Sequence, residues 1–323
     1  MTQTAMRAAA RLLPLLLLLS IVSTGCGVIG GASPTQTPTP TLTSTPTATA
    51  TATPTATPTP PPQVETASLE VAQGGFVALS VRGAAASAVA ILNGKQYPLL
   101  ATADGFWGVI GVAADEPVGA YPVSILLRDA GGQVAAELGA SLLVLETAYP
   151  VEEIFLPPEQ SALLDPALVQ QEAATRAAVF AAFTPERLWS GAFLFPAPGP
   201  VSSPYGIGRS YNGGPVTSFH HGTDFPTDEG TPVVAVNSGR VAFAGALPIR
   251  GNSVIIDHGG GVFSAYHHLA SATVQEGQMA ARGDLIGFSG ASGLATGPHL
   301  HWEIIVHGVE VDPVLWTFDD VGP

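Results

Sequence analysis

The sequence predicts a mainly β protein: an N-terminal immunoglobulin-like sandwich, one connecting helix, and a C-terminal, mostly antiparallel β domain curved around a groove. Three observations predict it. Short strand-like runs broken by Asp, Gly and Pro recur between residues 64 and 147. One helical stretch follows, opened by Asp165-Pro166. From residue 191 the short runs return, separated by glycines that mark tight turns.

Residues 1–25 read as an export signal. Arg7 and Arg11 give a positive start, and residues 12–22 an apolar run too short for a comfortable membrane span. Ser23-Thr24-Gly25-Cys26 sets small residues before the only cysteine and resembles a bacterial lipobox. Ser23 departs from that pattern, which usually carries Leu or another aliphatic residue there. The resemblance implies cleavage before Cys26, lipidation of that residue, and an extracytoplasmic lipoprotein anchored to a membrane in the cell envelope. Residues 26–62 read as a disordered stalk: from residue 33 they are almost wholly Thr, Pro, Ala and Ser, without charge, and cannot bury a core. Extended as polyproline II, such a segment reaches on the order of 90 Å.

Residues 63–148 form the expected sandwich, with strands over 76–81, 88–92, 95–100, 106–112, 121–127 and 133–145. Asn93-Gly94 between the second and third predicts a type I′ hairpin turn. This part holds no histidine and reads as a spacer or binding module. Residues 149–190 form the connector. Asp165 is its N-cap, Pro166 suits the first helical position, and Leu164 with Val169 suits a hydrophobic staple. The helix is expected to run to about residue 182 and to pack its apolar positions on a neighbouring domain. Residues 191–319 carry strand candidates at 231–236, 240–244, 253–257, 262–267, 284–288 and 301–306.

Net charge is −14 with only 11 Lys and Arg and no basic run, which argues against nucleic acid as a partner. A single cysteine leaves no intrachain disulfide and no thiolate ligand set. Chemistry falls to histidine. All eight histidines lie between His220 and His307. His220 and Asp224 flank Gly222 in one turn, and His299 and His301 alternate onto one face of an extended segment while Leu300 and Trp302 face the core. Either both of the later histidines bind metal, or one binds and one acts on substrate. Two imidazoles and one carboxylate make three protein ligands and leave a fourth tetrahedral position for water, as in catalytic zinc sites. No His-Glu-x-x-His helix supplies a glutamate base, so a histidine must do that work; Tyr266-His267-His268-Leu269 offers one candidate and His299 the other.

The order His-x-Gly-x-Asp, Tyr-x-His-Leu and Gly-Pro-His-Leu-His-Trp, from residues 220, 266 and 297, resembles the lysostaphin/LytM-type zinc endopeptidases that cut peptidoglycan peptides. The likeness runs from about residue 195 to 313 through Gly230-Thr231-Pro232-Val233, Gly239-Arg240-Val241, Gly251-Asn252 and Ile256-Asp257-His258-Gly259. It implies that His220, Asp224 and His301 bind one Zn2+ and that His268 and His299 activate water and stabilise the oxyanion, in an order the sequence does not assign. It also implies peptidoglycan as substrate, cut at D-Ala–diamino-acid cross-links or glycine bridges. His221 and His267 fall at variable motif positions, His258 is expected to shape the fold, and His307 to lie at the surface. The rival reading is a catalytically silent peptidoglycan-binding module that activates another wall hydrolase; such relatives lack one or more of the five positions, and this chain keeps all five.

Overall fold

The computed structural model describes residues 60–65 and 68–323; Cys26, the export signal and the stalk up to residue 59 lie outside the described residues. The chain is mostly β. Residues 63–145 form two sheets over one core. One sheet runs in the order Gln63–Val64, Phe76–Arg82, Gly105–Gly111, Leu100–Ala101, and the other Ser68–Ala72, Val134–Leu145, Gly119–Arg128, Ser87–Leu92, Lys95–Pro98. Alternation explains the packing: Leu79, Ala90, Ile125, Leu127 and Leu142 point inward from both sheets and are at most 1% exposed. The Ser87–Leu92 and Lys95–Pro98 hairpin turns at Asn93 (φ 50°) and Gly94 (φ 77°), the paired positive φ of a type I′ turn.

The connector differs from its expectation. Two short turns, Pro158–Ser161 and a 3-10 segment Ala162–Leu164, precede the helix Pro166–Phe180. Asp165 caps it, its side chain accepting from the Ala167 amide at 2.8 Å. The apolar face expected to bury itself does not exist for most of its length. Val169 is 42% exposed, and the helix's buried residues are Glu172 and Arg176. Only the last turn packs conventionally: Val179 and Phe180 rest on Ile255, Phe263, Ala265 and Ile305. The helix therefore docks chiefly through charge, because Glu172 and Arg176 stand four residues apart on one face and meet buried partners. Upstream, Val151–Ile154 pairs in parallel with Gly208–Tyr211 and stitches the connector to the C-terminal part.

That part is built on a nine-stranded sheet whose pairings are all antiparallel, as the sequence predicts. Its central path runs Thr223–Phe225, Leu300–Val306, Val262–Ala272, Gly251–Gly259, Gly239–Leu247. Trp302, Tyr266, Ile304 and Trp316 are wholly buried beneath it. Each such side chain contributes roughly 1.5–3 kcal/mol by leaving water. The same core takes in Leu100, Trp107 and Val109 from the sandwich, so the two parts are not independently packed.

Two histidines outside the motifs separate here. His258 shapes the fold, as expected. It is fully buried, its Nδ1–H donating to the Ser238 carbonyl at 2.8 Å and its Nε2 accepting from Ser264 Oγ at 2.7 Å. His307, expected at the surface, is half-buried. The hairpin joining Leu300–Val306 to Val309–Val311 turns at His307 (φ 48°) and Gly308 (φ 75°), which tucks the ring between Phe183, stacked at 6.0 Å, and Tyr97, edge-on at 5.4 Å.

Burial pushes the His258 pKa from 6.5 down to about 4. The unfolded chain takes up that proton first, so the stability contributed by neutral His258 is full above pH 6.5 and is lost as pH falls through about 4. We predict that urea midpoints fall over this window, and that the slope in His258→Gln is shallower by about one proton. An unchanged slope would mean that His258 is not held neutral by the fold.

Candidate metal centre

Strand pairing puts the first two members of the site together. Asp224 lies directly opposite His301 in the antiparallel pair of Thr223–Phe225 and Leu300–Val306, so both side chains leave the same face. His220 arrives from the preceding turn, its amide donating to the Ile207 carbonyl at 2.7 Å. Gly222 is required in that turn for close approach, since a Cβ there would stand 2.3 Å from the Trp302 carbonyl oxygen. The three ligand atoms form a tight triangle: His220 Nε2 to Asp224 Oδ1 3.0 Å, His220 Nε2 to His301 Nδ1 3.0 Å, and His301 Nδ1 to Asp224 Oδ1 2.7 Å.

The tautomers show what the triangle is for. His220 Nδ1–H is spent on the Pro204 carbonyl at 2.8 Å, and His301 Nε2–H on Glu303 Oε1 at 3.0 Å. Each ring therefore turns a lone pair toward Asp224, and a third lone-pair donor meets them there. Three acceptors converging on one point call for a cation. The charges agree. Burial drives the Asp224 carboxyl up, but the His220 and His301 rings beside it outweigh this and leave the group well below the usual range. Burial lowers His301 too, yet Asp224 and Glu303 more than offset this and its pKa ends raised. Burial leaves His220 down at about 4. Two nitrogens and one oxygen around a point charge suit one Zn2+, with a tetrahedral position left over.

His268 and His299 stand beside the triangle, their rings 4.7 Å apart and that of His268 6.0 Å from His301. Each donates Nδ1–H to a backbone carbonyl, His268 to Ser292 at 2.8 Å and His299 to Gly297 at 2.9 Å. Both Nε2 atoms lack a hydrogen-bond partner among the described residues. Burial, reinforced by His299 and His301, holds His268 well below its ordinary pKa, so it is neutral at pH 7.

Strict alternation fails at this point. His267 pairs with His301 and faces the same way; its ring stacks 5.7 Å from that of His301, wholly buried, with Nδ1 2.7 Å from Ser253 Oγ. Burial pushes its pKa down to about 3. It supports the site from below. His268 reaches the site because a bulge places His267 and His268 opposite Ser253 alone, with His268 at φ 58°. That conformation costs a non-glycine residue about 1–3 kcal/mol and persists only where its surroundings hold it. His221 is exposed at the groove, 3.9 Å from Glu310 Oε2.

Sequence reasoning missed a charged layer beneath these histidines. Arg209 lies 3.0 Å from Glu152 and 3.6 Å from Asp224 Oδ2. Glu303, at 0% exposure, receives Arg176 at 2.5 Å, Arg250 at 2.9 Å and His301. Burial alone would raise the Glu303 carboxyl, but Arg176 and Arg250 hold it well below its ordinary range. Strand alternation carried the signal: Glu303 follows His301 by two residues in a run otherwise apolar, and so lies on the same face.

The histidines and Asp224 open into a groove of about 880 Å³ that the connector helps to wall, through Phe155, Leu164 and Val169. Residues 218–313 match the sequence model of Peptidase family M23. This segment is an M23 peptidase domain. The M23 segment is 45% identical over 93 residues to the peptidoglycan DD-endopeptidase ShyA of Vibrio cholerae, covering 29% of this chain and 22% of that protein. It is 39% identical over 117 residues to the DD-carboxypeptidase/endopeptidase Mpg of Neisseria meningitidis, covering 35% of this chain and 26% of that one. The chain thus spans about a quarter of the length of these curated relatives. A crystal structure described as a peptidase M23 from Pseudomonas aeruginosa superposes with a TM-score of 0.57 at 27% identity, over 76% of this chain and 94% of that one. The likeness to that structure extends well beyond the M23 domain itself.

Proposed function

We propose that this chain is a cell-wall metalloendopeptidase that hydrolyses peptide bonds in peptidoglycan cross-links or stem peptides. The observation that carries the reading is the complete constellation: three converging ligand atoms with two unpartnered imidazole nitrogens beside them. His220, Asp224 and His301 hold the zinc. When bound, zinc polarises a carbonyl and brings the pKa of its water toward neutrality. His268 and His299 serve as the proton-handling pair. One takes a proton at Nε2 from the attacking water, and an imidazolium beside the cleaved bond hydrogen-bonds the developing oxyanion or returns a proton to the leaving amine. Backbone carbonyls on both Nδ1 atoms fix the tautomers that this needs. The groove suits an extended peptide, and peptidoglycan is the substrate named for the V. cholerae relative. A silent binding module would have no use for this set, and all five residues are present.

The test is digestion of purified peptidoglycan by the zinc-loaded chain, with fragments identified by mass spectrometry. New peptide carboxyl and amino termini support the reading; intact cross-links and stem peptides after prolonged digestion sink it.

The N-terminal residues support an envelope location. We read residues 1–25 as a lipoprotein signal, Cys26 as the lipidated residue, 26–62 as a stalk, and the sandwich at 63–148 as an immunoglobulin-like spacer. Cys26→Ala is expected to move the protein from the membrane to the soluble fraction or to leave its precursor uncleaved. Unchanged fractionation and processing would remove the anchor from this account.

A further inference from the structure

We propose that Glu172, on the connector helix and outside the M23 segment, is a positioning residue for His268. The inference rests on the reading that His268 acts in catalysis. Glu172 is 1% exposed, although it belongs to a helix that is otherwise mostly solvent-facing. Its Oε2 accepts from the amides of Ile249 at 2.6 Å and Arg250 at 3.1 Å, and its Oε1 from Arg250 Nη1 at 2.8 Å. One carboxylate thus closes the turn between the strands Gly239–Leu247 and Gly251–Gly259, satisfying two amides that the strand ladder does not pair.

That turn holds His268 in two ways. The Arg250 carbonyl accepts from the His268 amide at 2.9 Å, directly at the residue with φ 58°. The Ile249 carbonyl accepts from the Leu294 amide at 2.7 Å, and Ser292 Oγ accepts from the Asn252 amide at 2.9 Å. These bonds fix the loop whose Ser292 carbonyl takes His268 Nδ1–H. The backbone and the ring of His268 are therefore both referred to one turn, and the turn is referred to Glu172. Arg250 also reaches Glu303 through Nε at 2.9 Å, so the metal triad has its own support from Arg176 and does not depend on Glu172 alone.

Glu172→Gln keeps one acceptor oxygen for the turn amides and loses the charge that pairs with Arg250; Glu172→Ala loses both. In the full, zinc-loaded chain, kcat on peptidoglycan cross-link peptides is expected to fall about tenfold for Gln and about a hundredfold for Ala, in the range seen for outer-shell partners. KM is expected to change less than kcat, because Phe155, Leu164 and Val169 are untouched and only Ile249 and Arg250 of the groove lining lose a partner. Zinc content should remain at wild-type level. Amide hydrogen exchange should speed up in peptides covering residues 248–252 and 266–270 and remain unchanged over 300–306. Should Glu172→Ala fold poorly, Glu172→Gln and Glu172→Asp carry the same readouts, since both leave the Arg250–Glu303 pair in place. Unchanged exchange at 266–270, unchanged kcat, or loss of zinc alongside activity each overturns the proposal, the last because it would assign Glu172 to the metal triad. If the wild-type chain cleaves nothing, the hydrolase reading fails, and the exchange measurement still decides whether Glu172 holds His268.

Discussion

Replacing His220, Asp224 or His301 with alanine is expected to remove both zinc and hydrolysis. Each residue offers one of the three ligand atoms that converge among the described residues, and those atoms already lie 2.7–3.0 Å apart. Loss of one leaves two ligands, too few for a tetrahedral catalytic site. The surroundings sharpen the effect. Asp224 is the only carboxylate in the triangle, and removing it leaves two imidazole lone pairs facing each other at 3.0 Å without a negative partner. Removing His301 also strips Glu303 of one hydrogen-bond donor in a fully buried position. Activity should fall by more than the roughly 10–100-fold typical of changes to outer-shell partners. Elemental analysis of each purified variant should show zinc reduced from one per chain toward none. Full zinc in the His301 variant would mean that another residue, most simply His299, completes the triad.

Much of this site could be read along the chain because a strand enforces its own geometry. In Leu300–Val306 every second side chain faces the same way, so the separation of His301 from Leu300 and Trp302 follows from the sequence, and the structure buries both apolar residues completely. The helix cap at Asp165 and the Asn93-Gly94 turn are local devices, and both appear as expected. What could not be read depends on register. Alternation would turn His268 away from His301; the bulge opposite Ser253 turns it back, and no residue pattern near Tyr266 announces that extra residue. The docking of the helix was missed for a related reason. Glu172 and Arg176 look like a solvated i,i+4 pair until their partners, Arg250 from a turn and Glu303 from a strand, arrive from more than 70 residues away. His307 likewise reads as a polar turn residue, and only packing against Tyr97 and Phe183 covers part of its ring.

His268→Ala and His299→Ala are expected to abolish most hydrolysis while leaving zinc in place. Neither ring takes part in the ligand triangle, and each is anchored through Nδ1 to a backbone carbonyl rather than to Asp224. The groups they offer are the two free Nε2 atoms, on rings 4.7 Å apart. Positioned proton transfer is worth about 10²–10⁴-fold, so each single variant should lose activity within that range. If the two rings act on the same step, one activating water and the other steadying the oxyanion, their losses will not add: the double variant should fall little further than the worse single one. His267→Ala provides the contrast. His267 lies beneath His301, fully buried, and its removal should lower stability by leaving a cavity while altering proton transfer far less. Zinc content, kcat and thermal midpoint measured together on the four variants separate these roles. Wild-type hydrolysis in the His299 variant, or zinc lost from the His268 variant, would show that the flanking pair has been assigned wrongly.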